Sequence, residues 1–223
     1  MSLIQKSQIQ CPSCGIESTA DVWGSINVET DSHARDFILD GSLFMFRCPE
    51  CGYETRLIYN TLYLDKERGQ MFYLIEGTEE ERTQAEAEAL AAAEETPFWR
   101  DGGFVLRLVH SANDLREKIL LFDHGFDDRI VEICKGVALS QLPEDSVVLE
   151  IHFAVIAGQR VLALMGEDGE EQYVVDFQSL YDTMFSEYIA AMPPLYGDTF
   201  ECVDIAYVGA LLRELHEKEE ELK

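Results

Sequence analysis

Short alternating runs of apolar and polar residues open the chain, give way to a helical period, and then return. Residues 21–29, DVWGSINVE, set Val22, Trp23, Ile26 and Val28 among turn formers, which predicts a strand. TDSHARDFILDG at 30–41 has the spacing of a short helix: Asp31 or Ser32 caps it, Phe37 and Ile38 face inward, and Gly41 ends it. SLFMFR reads as a strand, and TRLIYNTLYLD with QMFYLIEG predicts a hairpin around KERG. The first three residues carry no structural signal.

Residues 77–97 are rich in Ala and Glu, with Thr78 and Glu81 spaced as a capping box. Alanine gives such a helix little to bury, so an exposed connector closed by Pro97 is expected. GFVLRLVH at 103–110 is a strand. Next comes a helix capped by Ser111 or Asn113, with Leu115, Ile119 and Phe122 on one stripe, and a second helix with Asp127 at its start and Pro143 beyond its end. Strands at 147–156, 159–166 and 172–177 form an antiparallel meander, turning near Ala157-Gly158 and through GEDGEE. An amphipathic helix buries Leu180, Met184, Tyr188 and Ile189, and a last helix begins near Val203, where Gly209 suggests close helix packing. The fold class is α+β: a zinc-ribbon-like module with a helical insert at 1–76, an acidic connecting helix at 77–97, and a mixed antiparallel-sheet and helix domain at 98–223.

Composition changes this picture at one place. Four of six cysteines fall in two copies of Cys-Pro-x-Cys-Gly, CPSCG with Cys11 and Cys14, and CPECG with Cys48 and Cys51. Two sulfurs in a C-x-x-C pair can turn to one point, and a second pair completes a tetrahedral thiolate set. Proline fixes φ inside each knuckle, and the glycine after the second cysteine permits a left-handed turn. Zinc is the expected metal, in a closed site whose role is structural. The insert at 15–47 exceeds the roughly 15–20 residues of the simple ribbon spacing, so it has structure of its own.

The order CPSCG, VWGSINVE, a short helix ending in DGSLFMFRCPECG, then LIYNTLYLD and MFYLIE resembles the CpXC domain family. The likeness is strong over 8–77 and extends through LREKILLFDHGFDDRIVEICK at 115–135. It places Cys11, Cys14, Cys48 and Cys51 at the family's four cysteines and implies metal binding, with no biochemical activity attached.

Charge narrows the partners. With 43 acidic against 17 basic residues and a net charge of −26, the chain lacks the clustered Lys and Arg that nucleic acid or an anionic membrane needs. A protein partner or self-association is the expected mode. The longest apolar run, around 147–157, is broken by Glu150 and His152, and no secretion signal opens the chain, so the expected compartment is the cytoplasm.

No HExxH, GxSxG, GxGxxG or Walker pattern occurs. DGG at 101–103 reads as a turn. The densest polar group is DHGFDD, whose Asp123, His124, Asp127 and Asp128 are candidates for a second metal or for acid–base work, against the plainer reading as an inter-helix turn with a cap. Cys134 is expected as a small buried hydrophobe, and Cys202, near a helix start, as a candidate reactive thiol. Tyr59, Tyr63, Phe72 and Tyr73 share one hairpin and form either a binding face or core. The expected function is a zinc-stabilised binding or adaptor module without enzymatic activity. The alternatives are an enzyme with its site in the C-terminal domain and a zinc or redox sensor.

Overall fold

The computed structural model describes residues 1–95, 103–167, 171–174 and 176–221. The Pro97 helix stop, Asp101 and Gly102 of the expected turn, and residues 168–170 of the GEDGEE loop lie outside the described residues. The fold is α+β, as the pattern predicts. The chain divides into two units: Met1–Arg116 with Tyr196–Glu201, and Glu117–Leu195 with Cys202–Lys223.

The first unit is built on a five-stranded sheet. Its strands are β1 (Leu3–Gln10), β2 (Glu17–Asn27), β5 (Thr61–Asp65), β6 (Gln70–Leu74) and β7 (Val105–Val109), in the order β1-β2-β5-β6-β7. β1 with β2 and β5 with β6 are antiparallel, while β2 with β5 and β6 with β7 are parallel. Leu3, which carried no signal in the sequence, opens β1; LIQKSQIQ is mostly exposed and advertises little core face, and the partner strand supplies the order. Helix α1 (Ser32–Leu39) follows Asp31 and buries Ala34 and Ile38. Phe37 does not face inward; it is 41% exposed and meets the His33 ring edge-on at 5.6 Å. A single helical step of about 100° separates it from Ile38, and the short helix has room for only one of the two on its buried side.

TRLIYNTLYLD is not one arm of a hairpin. It splits into β4 (Glu54–Arg56), paired with β3 (Met45–Arg47), and the separate strand β5. The hairpin around KERG is β5–β6 alone. Tyr63 and Phe72 stack across it at 5.7 Å and are fully buried, and Tyr59 and Tyr73 are half-buried, so these four aromatics serve as core rather than as an open face. Helix α2 (Glu79–Glu95) starts on the predicted capping box: the Thr78 amide donates to Glu81 Oε2 at 2.8 Å. β7, which the boundary at 98 places with the C-terminal part, pairs with β6. On its other side the Leu108 amide donates to the Glu201 carbonyl, and the buried Arg107 guanidinium donates to the Glu201 carboxylate at 3.2 Å.

Helix α3 (Ala112–Asp123) starts with the Asp114 amide donating to Ser111 Oγ at 3.0 Å. The second unit begins within this helix and continues with α4 (Asp128–Ser140), capped by Asp127, whose carboxylate accepts the Arg129 amide. The meander follows as β8 (Val148–Ile156), β9 (Gln159–Gly166) and β10 (Glu171–Val174), in the order β10-β9-β8. Ala157 at φ 52° and Gly158 at φ 81° make the tight β8–β9 turn, whose twist suits a two-residue hairpin. Helices α5 (Phe177–Tyr188) and α6 (Ile205–Glu221) complete the unit. Its core gathers Phe126, Ile130, Cys134, Phe153, Leu162, Phe177 and Tyr181, with Leu180, Met184, Tyr188 and Ile189 packed at its margin. A Cβ on Gly209 would meet Arg213 Nη1 at 3.8 Å, an ordinary contact, so close helix packing does not explain that glycine. Among the described residues no helix is long and apolar enough to cross a membrane.

Candidate metal centre

Each cysteine knuckle joins the two strands of a hairpin, the first at the end of β1–β2 and the second at the end of β3–β4. The two are built alike. In the first, the Cys11 amide donates to the Ile16 carbonyl at 2.9 Å and the Gly15 amide to the Cys11 carbonyl at 2.9 Å; in the second, the Cys48 amide donates to Tyr53 at 2.8 Å and the Gly52 amide to Cys48 at 3.0 Å. Gly15 and Gly52 turn the chain at φ 74° and 73°, a backbone that a β-carbon strains. Proline inside each knuckle has no amide to place, so it interrupts neither bond.

This repeated turn brings Cys11, Cys14, Cys48 and Cys51 together, with all four sulfurs within 4.8 Å of one another. Cys11 Sγ lies 3.7 Å from Cys51 Sγ, and Cys14 Sγ lies 3.7 Å from Cys48 Sγ. A disulfide needs about 2.05 Å, and the cysteines are free. The edge of a tetrahedron whose centre is about 2.3 Å from each sulfur is about 3.8 Å. Both cross-knuckle pairs therefore stand at the spacing that a thiolate-bound metal requires. Cys11 and Cys48 are buried, whereas Cys14 and Cys51 are exposed. A small cluster of Cys11, Phe46 and Cys48, with Ile9, Ala20 and Leu57 against it, is the apolar packing around the site.

The protonation of the thiols sets a condition on any metal they hold. The Ile16 amide favours a thiolate at Cys14, but desolvation and the thiols of Cys51, Cys11 and Cys48 outweigh it and push Cys14 up to about 12. At Cys48 the Cys51 amide prevails over desolvation, aided by the Glu50 amide and the neighbouring thiols, and brings it down to about 6. Four sulfurs this close cannot all ionise by themselves. A dication inverts that balance and deprotonates its ligands, so the donor set fits a soft, thiophilic metal ion.

The other residues singled out in the sequence do not assemble into a site. Within DHGFDD, Asp127 takes Arg129 in a two-point ion pair, at 2.9 and 2.5 Å, and Asp128 takes Lys118 Nζ at 3.0 Å. Asp123 is exposed, and His124 meets Phe153 edge-on at 5.9 Å. Each side chain of the turn has a different errand. Cys134 is buried, and desolvation pushes its thiol up to about 12, as suits a small core residue. Cys202 is half-buried, 4.0 Å from Asp204 Oδ2.

Pattern reading misses a second charged assembly, in the second unit. Glu117, Lys118, Asp128, Glu132 and Lys135 are all buried. Lys118 Nζ reaches Asp128 at 3.0 Å, Glu132 at 3.6 Å and the Val203 carbonyl at 2.7 Å, while Lys135 Nζ reaches Glu117 at 2.8 Å and Glu132 at 2.9 Å. Burial alone would raise Glu117, but Lys135, His152 and Lys118 hold it down at about 2. At Glu132 burial wins over both lysines, and its carboxyl sits above the usual range. The signal was faint: Asp128, Glu132 and Lys135 recur at the i, i+4, i+7 spacing of one helix face, which ordinarily means solvent.

Among known families, the one described as CpXC protein matches residues 9–135, more than half of the chain. No curated protein and no solved structure matches it.

Proposed function

The chain belongs to the CpXC family, and from that premise we propose that Cys11, Cys14, Cys48 and Cys51 hold one zinc ion in a closed structural site of a non-enzymatic binding or adaptor module. The two cross-knuckle sulfur distances of 3.7 Å carry this reading. Zinc takes four thiolates without geometric preference from its d electrons, and four protein ligands leave no position for a substrate. The metal's task is mechanical. Among the described residues β2 pairs with β5 only at Ser25–Asn27, and no third strand covers most of the β1–β2 hairpin. A two-stranded ribbon is marginal in water, and six small-cluster residues are a thin core for its end. A metal shared with the β3–β4 knuckle ties the two hairpin ends together.

The divergence of the DHGFDD side chains supports a role without catalysis. The charge of −26 supports a basic protein partner over nucleic acid. Free thiols suit a reducing, cytoplasmic compartment. Elemental mass spectrometry on protein purified without added metal tests the site: about one zinc per chain is expected, while iron or no metal rejects zinc. One observation favours a second reading. Cys14 and Cys51 are exposed, so the ion can exchange or its ligands oxidise. Loss of zinc to micromolar chelator or peroxide would support sensing; retention under both rejects it.

A further inference from the structure

The buried assembly of the second unit contains three carboxylates, Glu117, Asp128 and Glu132, against two ammonium groups, Lys118 and Lys135. With all five ionised it is one positive charge short, and the neighbouring Arg129, which also acts on Asp128, is matched by its own two-point pair with Asp127. An unbalanced charge away from water is costly. The geometry points to where the missing cation comes from. His152 Nδ1 lies 3.4 Å from Glu117 Oε2, and its Nε2 lies 3.3 Å from Glu150 Oε2. The ring is partly open to solvent, with its side chain 25% exposed, so a proton can reach it. The other oxygen of Glu117 accepts the Phe153 amide at 2.5 Å. One carboxylate thus connects the imidazole, Lys135 and the backbone of β8.

We propose that a proton on His152 is a structural component of this network, supplying its third cation, and that the junction of β8 with α3 loosens as that proton is lost. The surroundings are consistent. α3 presents Glu117 and Lys118, with Asp114 one turn earlier on the same helix; α4 presents Glu132 and Lys135 through Glu117; β8 itself presents Glu150. β9 sets Ala163 opposite His152, and its Arg160 stands opposite Val155. Two carboxylates against one imidazole favour the charged ring. The competing solution is a proton on Glu132, whose carboxyl burial already pushes upward. In that case the network is neutral without His152.

The test is a titration of the full chain from pH 5 to 9 by nitrogen-15 NMR of the imidazoles, with His152 assigned through His152→Gln. A midpoint at least about one unit above the ordinary histidine value of about 6.5 is expected. Hydrogen exchange at the Phe153 amide, corrected for its intrinsic pH dependence, should quicken about tenfold or more across the same midpoint. His152→Lys, a cation throughout the range, should keep that amide protected and flat with pH. A His152 midpoint at or below the ordinary value, or Phe153 exchange indifferent to it, overturns the proposal and leaves Glu132 as the protonated group. Should His152→Gln fail to fold, the wild-type titration and His152→Lys still decide.

Discussion

The two hairpin ends of the first unit and the helix pair of the second both concentrate ionisable groups, and they meet the resulting repulsion in opposite ways. The knuckles gather four groups of one kind, and the crowding drives two of them apart: Cys14 is pushed up to about 12 while Cys48 falls to about 6. On the proposed reading they take a cation from outside. The helices carry their own cations, Lys118 and Lys135, and hold three carboxylates about them. The first arrangement is local, written into two five-residue stretches. The second is tertiary, joining α3, α4, β8 and the Val203 carbonyl. A site that depends on a bound ion can be emptied. One that depends on packed side chains can only be broken.

The largest expected effect comes from emptying the first. Cys48→Ala, or a strong chelator, should remove the metal and cost on the order of 5 kcal/mol or more, given the roughly 10–16 kcal/mol that zinc contributes to small zinc-binding peptides. Hydrogen exchange should show protection lost over residues 5–22 and 45–56 and kept in β5, β6 and β7. Protection lost evenly through both units would show that the metal does not act as a local clamp.

Breaking the second comes next. Lys135→Met leaves Glu117 and Glu132 without their shared ammonium, and removing one partner of a buried ion pair costs roughly 3–5 kcal/mol. Denaturant unfolding measures it. A loss near zero would mean the network is wet or already protonated.

Acid should separate the two regions. Glu117 lies below its ordinary value of 4.5, at about 2 when folded, so its contribution is fully present above about pH 4.5 and is lost as pH falls through about 2. Glu132 lies above its ordinary value and runs the other way, binding its proton earlier in the folded protein. Protons compete for thiolates at higher pH, so metal release should precede the loss of unit 2's near-ultraviolet dichroism. One merged step would indicate that the units do not unfold separately.

The smallest effect sharpens the reading of α1. Phe37→Ser should change stability by less than about 0.5 kcal/mol, as exposed substitutions do. Ile38→Ala, at a buried position, should cost roughly 2–5 kcal/mol. Equal losses would put Phe37 back in the core.

Those neighbours mark where the sequence is legible. Cys11, Cys14, Cys48 and Cys51 could be placed together because spacing, proline and glycine determine a knuckle within five residues. The caps at Thr78, Ser111 and Asp127 were legible for the same reason. Asp128 was not. Its role depends on Lys118, ten residues earlier on another helix, and α4 is buried on nearly all sides, so its charges mimic a solvent face. β1 was invisible because its order comes from β2, and the pairing of β7 with β6 was invisible because a parallel partner leaves no mark in either strand. DHGFDD looked like a cluster because its residues are adjacent, yet adjacency sends successive side chains in different directions.

The bond from the Phe153 amide to Glu117 has a further consequence. β8 is the outer strand of its sheet among the described residues, nine residues long, with Val147, Leu149, Val155 and Ile156 exposed along it or beside it. A bare strand of this composition is a template on which another chain can add and propagate an aggregate. The Glu117 carboxylate occupies the amide at the middle of that edge, with a charge that no incoming backbone can displace cheaply. The same carboxylate that anchors Lys135 in the interior thus also closes one bonding position of an exposed edge.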